Sequence, residues 1–481
     1  MEGKRRKETK GIEENILAIL DTSGFGKKEI SVAQHLQNHN DDRLAFLEAV
    51  RTASIVRENG TAPTSKMYQA IYQILREESS LDSIMSSYQL LNDLDTRFPR
   101  VYITEKTETE SASAVASTIE LVVVEEAWSP FTFGVDCPFT EKDASREKPP
   151  GSFDPSGFHL LIKDLSEMDS EESNEESQTK LLRSMLLLQY LIHVLEGDFL
   201  PRNRAYKEKV NWSLIRESFL NRILGSRRVP GKALIKDCIS LMCMCHVHCG
   251  TADDLLCFKN SSKDKSKNCN SAAAIALPEI EKCLCTAMQK LLLMIMELDA
   301  SKETADIQGL TTRADGARTP VPETILDELS YNIEMLSPFL QAFHEPRWKL
   351  EIVMQYIRKY VAKPSMRTRR TNGSTNDATF LDILKSFGNG SSIKSILKKI
   401  SAEVAQLLLA HAFQAYLSLS LKDPSEGIND SEKNVGDCSL VEVCQYMITA
   451  FSSLKKTNEN IAILPFGKEA LFTAASILST K

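Results

Sequence analysis

Between Thr319 and Arg370 apolar residues recur in steps of three and four, and this spacing limits the fold more than any other feature of the chain. Leu326, Leu329, Ile333, Leu336, Leu340 and Phe343 form one stripe, and Leu350, Val353, Met354, Ile357, Tyr360 and Val361 form a second. Each is one face of an α-helix. Thr319 stands before Pro320 and Pro322, and Glu323, Asp327 and Glu328 fill the first turns, which marks a helix start. Ser337-Pro338 predicts a kink or restart, because proline lacks the amide donor and its ring crowds the preceding turn. Glu345-Pro346 predicts the turn between two arms, and Pro364 the end of the second. A helix hairpin cannot cover both of its own stripes. The next hairpin must do so, and the result is a helical stack.

The totals agree. A chain of 481 residues predicts two or three domains or one extended array. Only 20 glycines argue against a turn-rich β architecture, since roughly 7% is usual. The net charge of −7 excludes a chain-wide nucleic-acid coat, so any such contact must be local. Eleven cysteines, several in apolar helical patterns, predict reduced thiols in an intracellular protein. Lys4-Arg5-Arg6-Lys7 is a minimal nuclear-import pattern; a solvated tail explains it equally. No apolar run reaches the roughly 18 residues that span a bilayer.

Three regions are expected: helices over 1–103, a long loop insertion over 104–155, and a helical repeat region over 156–481. In the first, helices end at Asn59-Gly60, open at Pro63 and stop at Pro99. The second is rich in Ser, Thr, Glu and Pro, with one strand expected at Leu121–Val124. It carries Trp128, Phe131 and Phe133, which read as a peg pinning the loop to the helices or as a partner-binding hot spot. Asp164–Ser177 is acidic and is expected to be extended. Helices are expected to resume at Lys180.

Two stretches concentrate positive charge. Pro201–Lys232 holds nine Lys/Arg, among them Arg216, Arg222, Arg227 and Arg228, against Glu208 and Glu217. Its apolar stripe is Trp212, Ile215, Phe219 and Ile223. Glu345–Arg370 holds eight, among them Arg358, Lys359, Arg367, Arg369 and Arg370, against two glutamates. Both read as contacts for phosphates or an acidic partner, or else as solvated helix faces. Cys238–Cys249 has metal-ligand residue types, but no C-x-x-C knuckle to wrap a zinc ion, and it reads as buried helix. No phosphate loop, nucleophile elbow or H-E-x-x-H is present. No catalytic residue, metal or cofactor is expected.

Seven blocks carry a family resemblance. They are DRLAFLEAVRTASIVRENGTAPTSKMYQAIYQILR, RFPRVYI, EEAWSPFTFG, NWSLIRESFLNRIL, LLLMIMELDASK with TTRADGARTP, RWKLEIVMQYIRKYV with RTRR, and ILPFGKEALFTAA. Together they resemble the plant negative regulators of systemic acquired resistance. The resemblance implies an all-α, armadillo/HEAT-like repeat stack in a nuclear protein without enzymatic activity. It implies repression of pathogenesis-related genes. Subunits of the structural-maintenance-of-chromosomes five/six complex, which serves DNA repair and homologous recombination, are the implied partners, with transcription or chromatin regulators. A nuclear adaptor is therefore expected. The alternative is a repressor that binds DNA directly through the basic stretches, and weak DNA contact belongs to that reading.

Overall fold

The computed structural model describes residues 32–106, 118–133, 153–168, 174–257, 272–316, 318–361, 379–421, 440–457 and 462–480. The fold is all-α, with one two-stranded sheet among the described residues. The chain divides between Thr324 and Ile325 into two compact units.

In the first unit, α1 (Val32–Arg51) runs into a π-helical turn, Thr52–Val56. Gly60 closes the following turn, where a Cβ would collide with the Ser54 carbonyl. Helices α2 (Ser65–Glu77) and α3 (Leu81–Arg97) pack together through Ile71, Leu75, Ile84, Leu91 and Leu94, all fully buried. Thr64 caps α2 by accepting from the Met67 amide. Arg97 donates to the carbonyls of Ile55, Arg57 and Glu58 at 2.6–3.0 Å and so ties the end of α3 to the turn after α1.

The expected loop insertion is only partly loop. Val101–Lys106 (β1) pairs antiparallel with Thr118–Val123 (β2), Val101 opposite Val123. The β2 strand overlaps the expected one; β1 carries Thr, Glu and Lys, so its composition hid it. Further on, the Thr132 amide donates to the Phe153 carbonyl at 2.9 Å and the Phe153 amide to the Pro130 carbonyl at 2.8 Å. The acidic stretch expected to be extended is helical at both ends, which close α4 (Pro155–Glu167) and open α5 (Glu175–Lys209). Leu165 still belongs to the buried face of α4, and Glu175 and Glu176 sit where acids favour a helix start.

Helix α5 is the axis of this unit. It runs for 35 residues through Pro201, although proline removes the amide that would bond the Gly197 carbonyl. Leu188, Leu191, Leu195 and Phe199 before the proline and Ala205 after it are fully buried, and that burial holds the helix together. The Pro201–Lys232 stripe is divided among the end of α5, α6 (Trp212–Arg216), α7 (Phe219–Leu224) and the start of α8 (Gly231–Cys257). Asn211 and Ser218 cap the two short helices through their side-chain oxygens. Helix α9 (Ala272–Ile307) packs on both α5 and α8. Its last turns stay helical because Ser301 and Ala305 still face the core. The loop that follows is clamped. Asp299 accepts from the Arg318 Nε at 2.6 Å and from the Val321 amide at 2.9 Å, and Lys302 donates to the carbonyls of Asp315 and Gly316.

Helix α10 (Val321–Tyr331) carries the boundary between units. The break expected at Ser337-Pro338 falls earlier, at Asn332, followed by a 3₁₀ turn at Ile333–Met335. Pro338 sits in the first turn of α11 (Leu336–Ala342), where no intrahelical amide is needed. Helix α12 (Pro346–Arg358) follows the expected turn. The second unit continues with α13 (Phe380–Gly388), α14 (Gly390–Leu397), α15 (Ala402–Ser420), α16 (Leu440–Thr457) and α17 (Pro465–Ser479). Helices α14 and α15 are separate, α15 starting behind the Ser401 cap. Helix α15 packs on α12, α16 and α17. Gln406 fastens the approach to α17, accepting from the Leu464 amide at 2.9 Å and donating to the Ala462 carbonyl at 3.3 Å.

Gly467 lets α17 approach: a Cβ there would lie 2.7 Å from Cε1 of Phe451 and 3.1 Å from Ile463. Gly467→Ala is expected to cost about 1–3 kcal/mol, the usual overpacking penalty. Urea unfolding of the full chain measures it. An unchanged midpoint would show that α17 seats without that close contact.

Candidate functional site

The two sets of residues singled out separately in the sequence, the aromatic triad and the Pro201–Lys232 arginines, meet in the first unit. Trp128 stacks on Tyr68 (centroids 5.6 Å, planes 9° apart) and leans on Tyr72 at 5.3 Å. Phe131 is 5% exposed and touches Phe133, Phe158 and Phe219. Phe133 stacks on Phe219 at 5.5 Å. The segment after β2 is therefore tied to the helices through two groups of rings, one around Trp128 and one around Phe131. The triad is a peg in its geometry, and half-buried Phe133 is its outer member.

Arginines cover the group around Phe131. Arg222 lies over the Phe133 ring at 3.9 Å and Arg100 over the Phe219 ring at 4.6 Å. Such contacts contribute about 0.5–2 kcal/mol each, more as water is excluded. The Arg100 Nη1 also donates to the Ala127 carbonyl at 3.1 Å, which holds the peg to the strand behind α3. Behind the rings is Asp198 of α5, 2% exposed. Its Oδ1 accepts from the Arg202 Nε at 3.2 Å and its Oδ2 from the Phe219 amide at 2.8 Å, the first amide of α7. One buried carboxylate thus serves as helix cap and as counter-ion. Burial pulls the pKa values of Arg100 and Arg222 down, and Asp198 opposes that in both.

The remaining expected contacts are dispersed. Arg216 pairs with Asp315 at 3.2 Å. Burial works against the charge on Asp315, but the amide and hydroxyl of Thr312 and the Arg216 charge outweigh it and hold the carboxyl below its usual range. Arg228 is 3.7 Å from Asp154. Arg227 is exposed, with no ion pair among the described residues. In the second unit Arg358 ends α12, and Lys359 reaches Asp327 at 3.4 Å and the Ser330 hydroxyl at 3.1 Å. Arg367, Arg369 and Arg370 lie outside the described residues.

The cysteine stretch is core. Cys238, Cys243 and Cys245 are buried on α8, and burial pushes their thiols up, Cys243 to about 12. A thiol held protonated is a poor metal ligand. No group of three metal-binding side chains occurs among the described residues.

Arg100, Asp198 and Phe219 were not among the expected site residues. Arg100 and Phe219 stand in the resemblance blocks, but nothing local to either shows that they meet across Asp198.

Comparison with known proteins places this geometry. Residues 100–345 match the SNI1 middle domain and residues 361–481 the SNI1 C-terminal domain. The chain is 44% identical over 472 residues to an Arabidopsis thaliana protein, "Negative regulator of systemic acquired resistance SNI1", covering 98% of this chain and 95% of that one. The chain belongs to the SNI1 family. The arginine–aromatic cluster lies almost wholly within the SNI1 middle-domain match, from Arg100 to Arg228; only Tyr68 and Tyr72 precede it. That match runs on to residue 345, past the boundary between the units, so α10 and α11 are shared between the SNI1 middle domain and the second unit.

Proposed function

We propose that this chain is a non-catalytic helical adaptor that represses defence genes in the plant nucleus and docks on subunits of the structural-maintenance-of-chromosomes five/six complex. One observation carries the reading: the end-to-end similarity to a protein named a negative regulator of systemic acquired resistance. The charge arrangement supports an adaptor over a DNA-binding repressor. Arg216, Arg228 and Lys359 face aspartates, and Arg222 lies on a ring. A cation already facing a carboxylate gains little by exchanging it for a phosphate.

The test is replacement. Expressed in an Arabidopsis plant lacking SNI1, this chain is expected to restore repression of pathogenesis-related genes and to co-purify with complex subunits from nuclei. Gene expression left at the mutant's level would refute the regulatory reading, and purification without those subunits would refute the docking.

The direct DNA-binding alternative rests on exposed Arg227, together with Arg367, Arg369 and Arg370. It requires salt-steep binding, each phosphate contact adding roughly 0.9 to the slope of log affinity against log salt. Titration of duplex DNA at two salt concentrations is expected to give no such binding near physiological salt. Tight binding lost on Arg227→Ala would favour the alternative.

A further inference from the structure

The second unit contains a half-open cavity of about 450 Å³. Its apolar wall is Phe413, Leu417 and Leu421 of the α15 region with Ala470 of α17. Lys349 lines it from the first turn of α12. That lysine is 9% exposed, and its ammonium has no hydrogen bond or ion pair among the described residues. An ammonium on a mostly buried side chain, with no counter-ion in contact, has lost part of its hydration and gained no ion pair in return. Its position adds to the cost: the amino end of a 13-residue helix carries positive partial charge and favours an anion. Pro346 and Lys349 of this first turn both line the cavity, and among the described residues no carboxylate is paired with the Lys349 ammonium there.

We propose that this cavity binds a small monocarboxylate with an apolar body, its carboxylate on Lys349 and its chain against Phe413 and Leu417. The charges on the wall select the single negative charge. Glu469 also lines the cavity, so one ligand carboxylate can meet Lys349 while a second negative charge would face Glu469 without a second lysine or arginine on the wall to offset it. His344 is the other titratable group of the lining. His411 of α15 is close enough for the Lys349 charge to act on it, but it is neutral at pH 7, since burial and that charge hold it near 4. Among the described residues, Lys349 is therefore the one lysine or arginine on the wall. Half-apolar cavities of this size suit ligands of small-molecule dimensions. Burial brings the ammonium down to about 8, so it is still mostly charged at pH 7, and a bound carboxylate would hold it charged to higher pH.

Calorimetric titration of the full chain with octanoate and with the uncharged octanamide tests the assignment. Octanoate is expected to bind at one site, with octanamide about tenfold weaker or worse, the factor for losing a charge-assisted hydrogen bond. Octanoate affinity is expected to fall as pH rises through about 8, where Lys349 loses its proton. Lys349→Met is expected to weaken octanoate by about tenfold or more. Glu469→Gln is expected to tighten it; Glu469 is exposed, so this variant keeps the fold and carries the test if the lysine variant does not. Equal binding of octanoate and octanamide, no binding of either at millimolar concentration, a flat pH profile between 7 and 9, or an affinity unmoved by Glu469→Gln would each overturn the proposal.

Discussion

Asp198→Ala is expected to destabilise the first unit by about 3–5 kcal/mol, the usual cost of removing one partner from a buried ion pair. The mechanism is specific. Arg202 is 4% exposed, and its nearest other carboxylate, Glu217, is 3.8 Å away on an exposed side chain. Without Asp198 that guanidinium is left inside the protein with the Leu214 carbonyl as its remaining short contact, at 3.2 Å. The Phe219 amide loses its acceptor as well, and α7 loses the bond that starts it. Arg100 and Arg222, whose charges Asp198 favours, would also lose support. Urea unfolding followed by tryptophan emission reports this directly, because Trp128 and Trp212 both belong to the first unit. Asp198→Asn is expected to cost less, since the amide keeps an acceptor for Phe219. A loss below about 1 kcal/mol for the alanine variant would place the pair among those that solvent screens, and would sink the idea of a buried hub.

Acidification is expected to cost the second unit up to about 3 kcal/mol through one residue, His411. His411 is 4% exposed, both ring nitrogens are buried without a hydrogen-bond partner, and Phe466 lies 5.4 Å from its ring. Burial first, and the Lys349 charge second, lower its pKa from 6.5 to about 4. Between those values the unfolded chain binds a proton that the folded chain refuses. Stability therefore rises with pH across this window, and it is lost as pH falls from about 6.5 towards 4. Comparison of unfolding midpoints at pH 7 and pH 5 for the parent chain and His411→Leu isolates the contribution. The variant is expected to lose less stability on acidification than the parent. Equal losses in the two proteins would show that His411 takes up its proton without unfolding.

Helix positions were legible wherever one face is apolar and the ends are marked. The Leu81–Arg97 and Phe380–Gly388 helices begin and end close to the positions that their stripes and flanking residues indicate. Irregularities that depend on tertiary burial were not legible. Pro201 looks like a boundary, yet Leu195, Phe199 and Tyr206 are held on either side of it by neighbouring helices. Strand Val101–Lys106 has a composition that suits a loop, and only its partner makes it a strand. The candidate site was half legible. Its aromatic residues and arginines stand out by type, but cation–ring contacts such as Arg222 on Phe133 depend on residues some ninety positions apart, and periodicity carries no information at that range. Asp198 was invisible because a buried aspartate on a long helix looks like any solvated acid until its surroundings are known.

The exchange of backbone hydrogen bonds between residues 130–132 and Phe153 has a practical corollary. Residues 130–132 and Phe153, which are far apart in sequence, lie within one strand spacing of each other. Closing a flexible loop costs only about 0.6 kcal/mol more for each doubling of its length. A change in the number of residues joining these two neighbouring points is therefore expected to cost little, and a fluorescent reporter inserted between them would sit beside the rings and arginines without lengthening the distance they span.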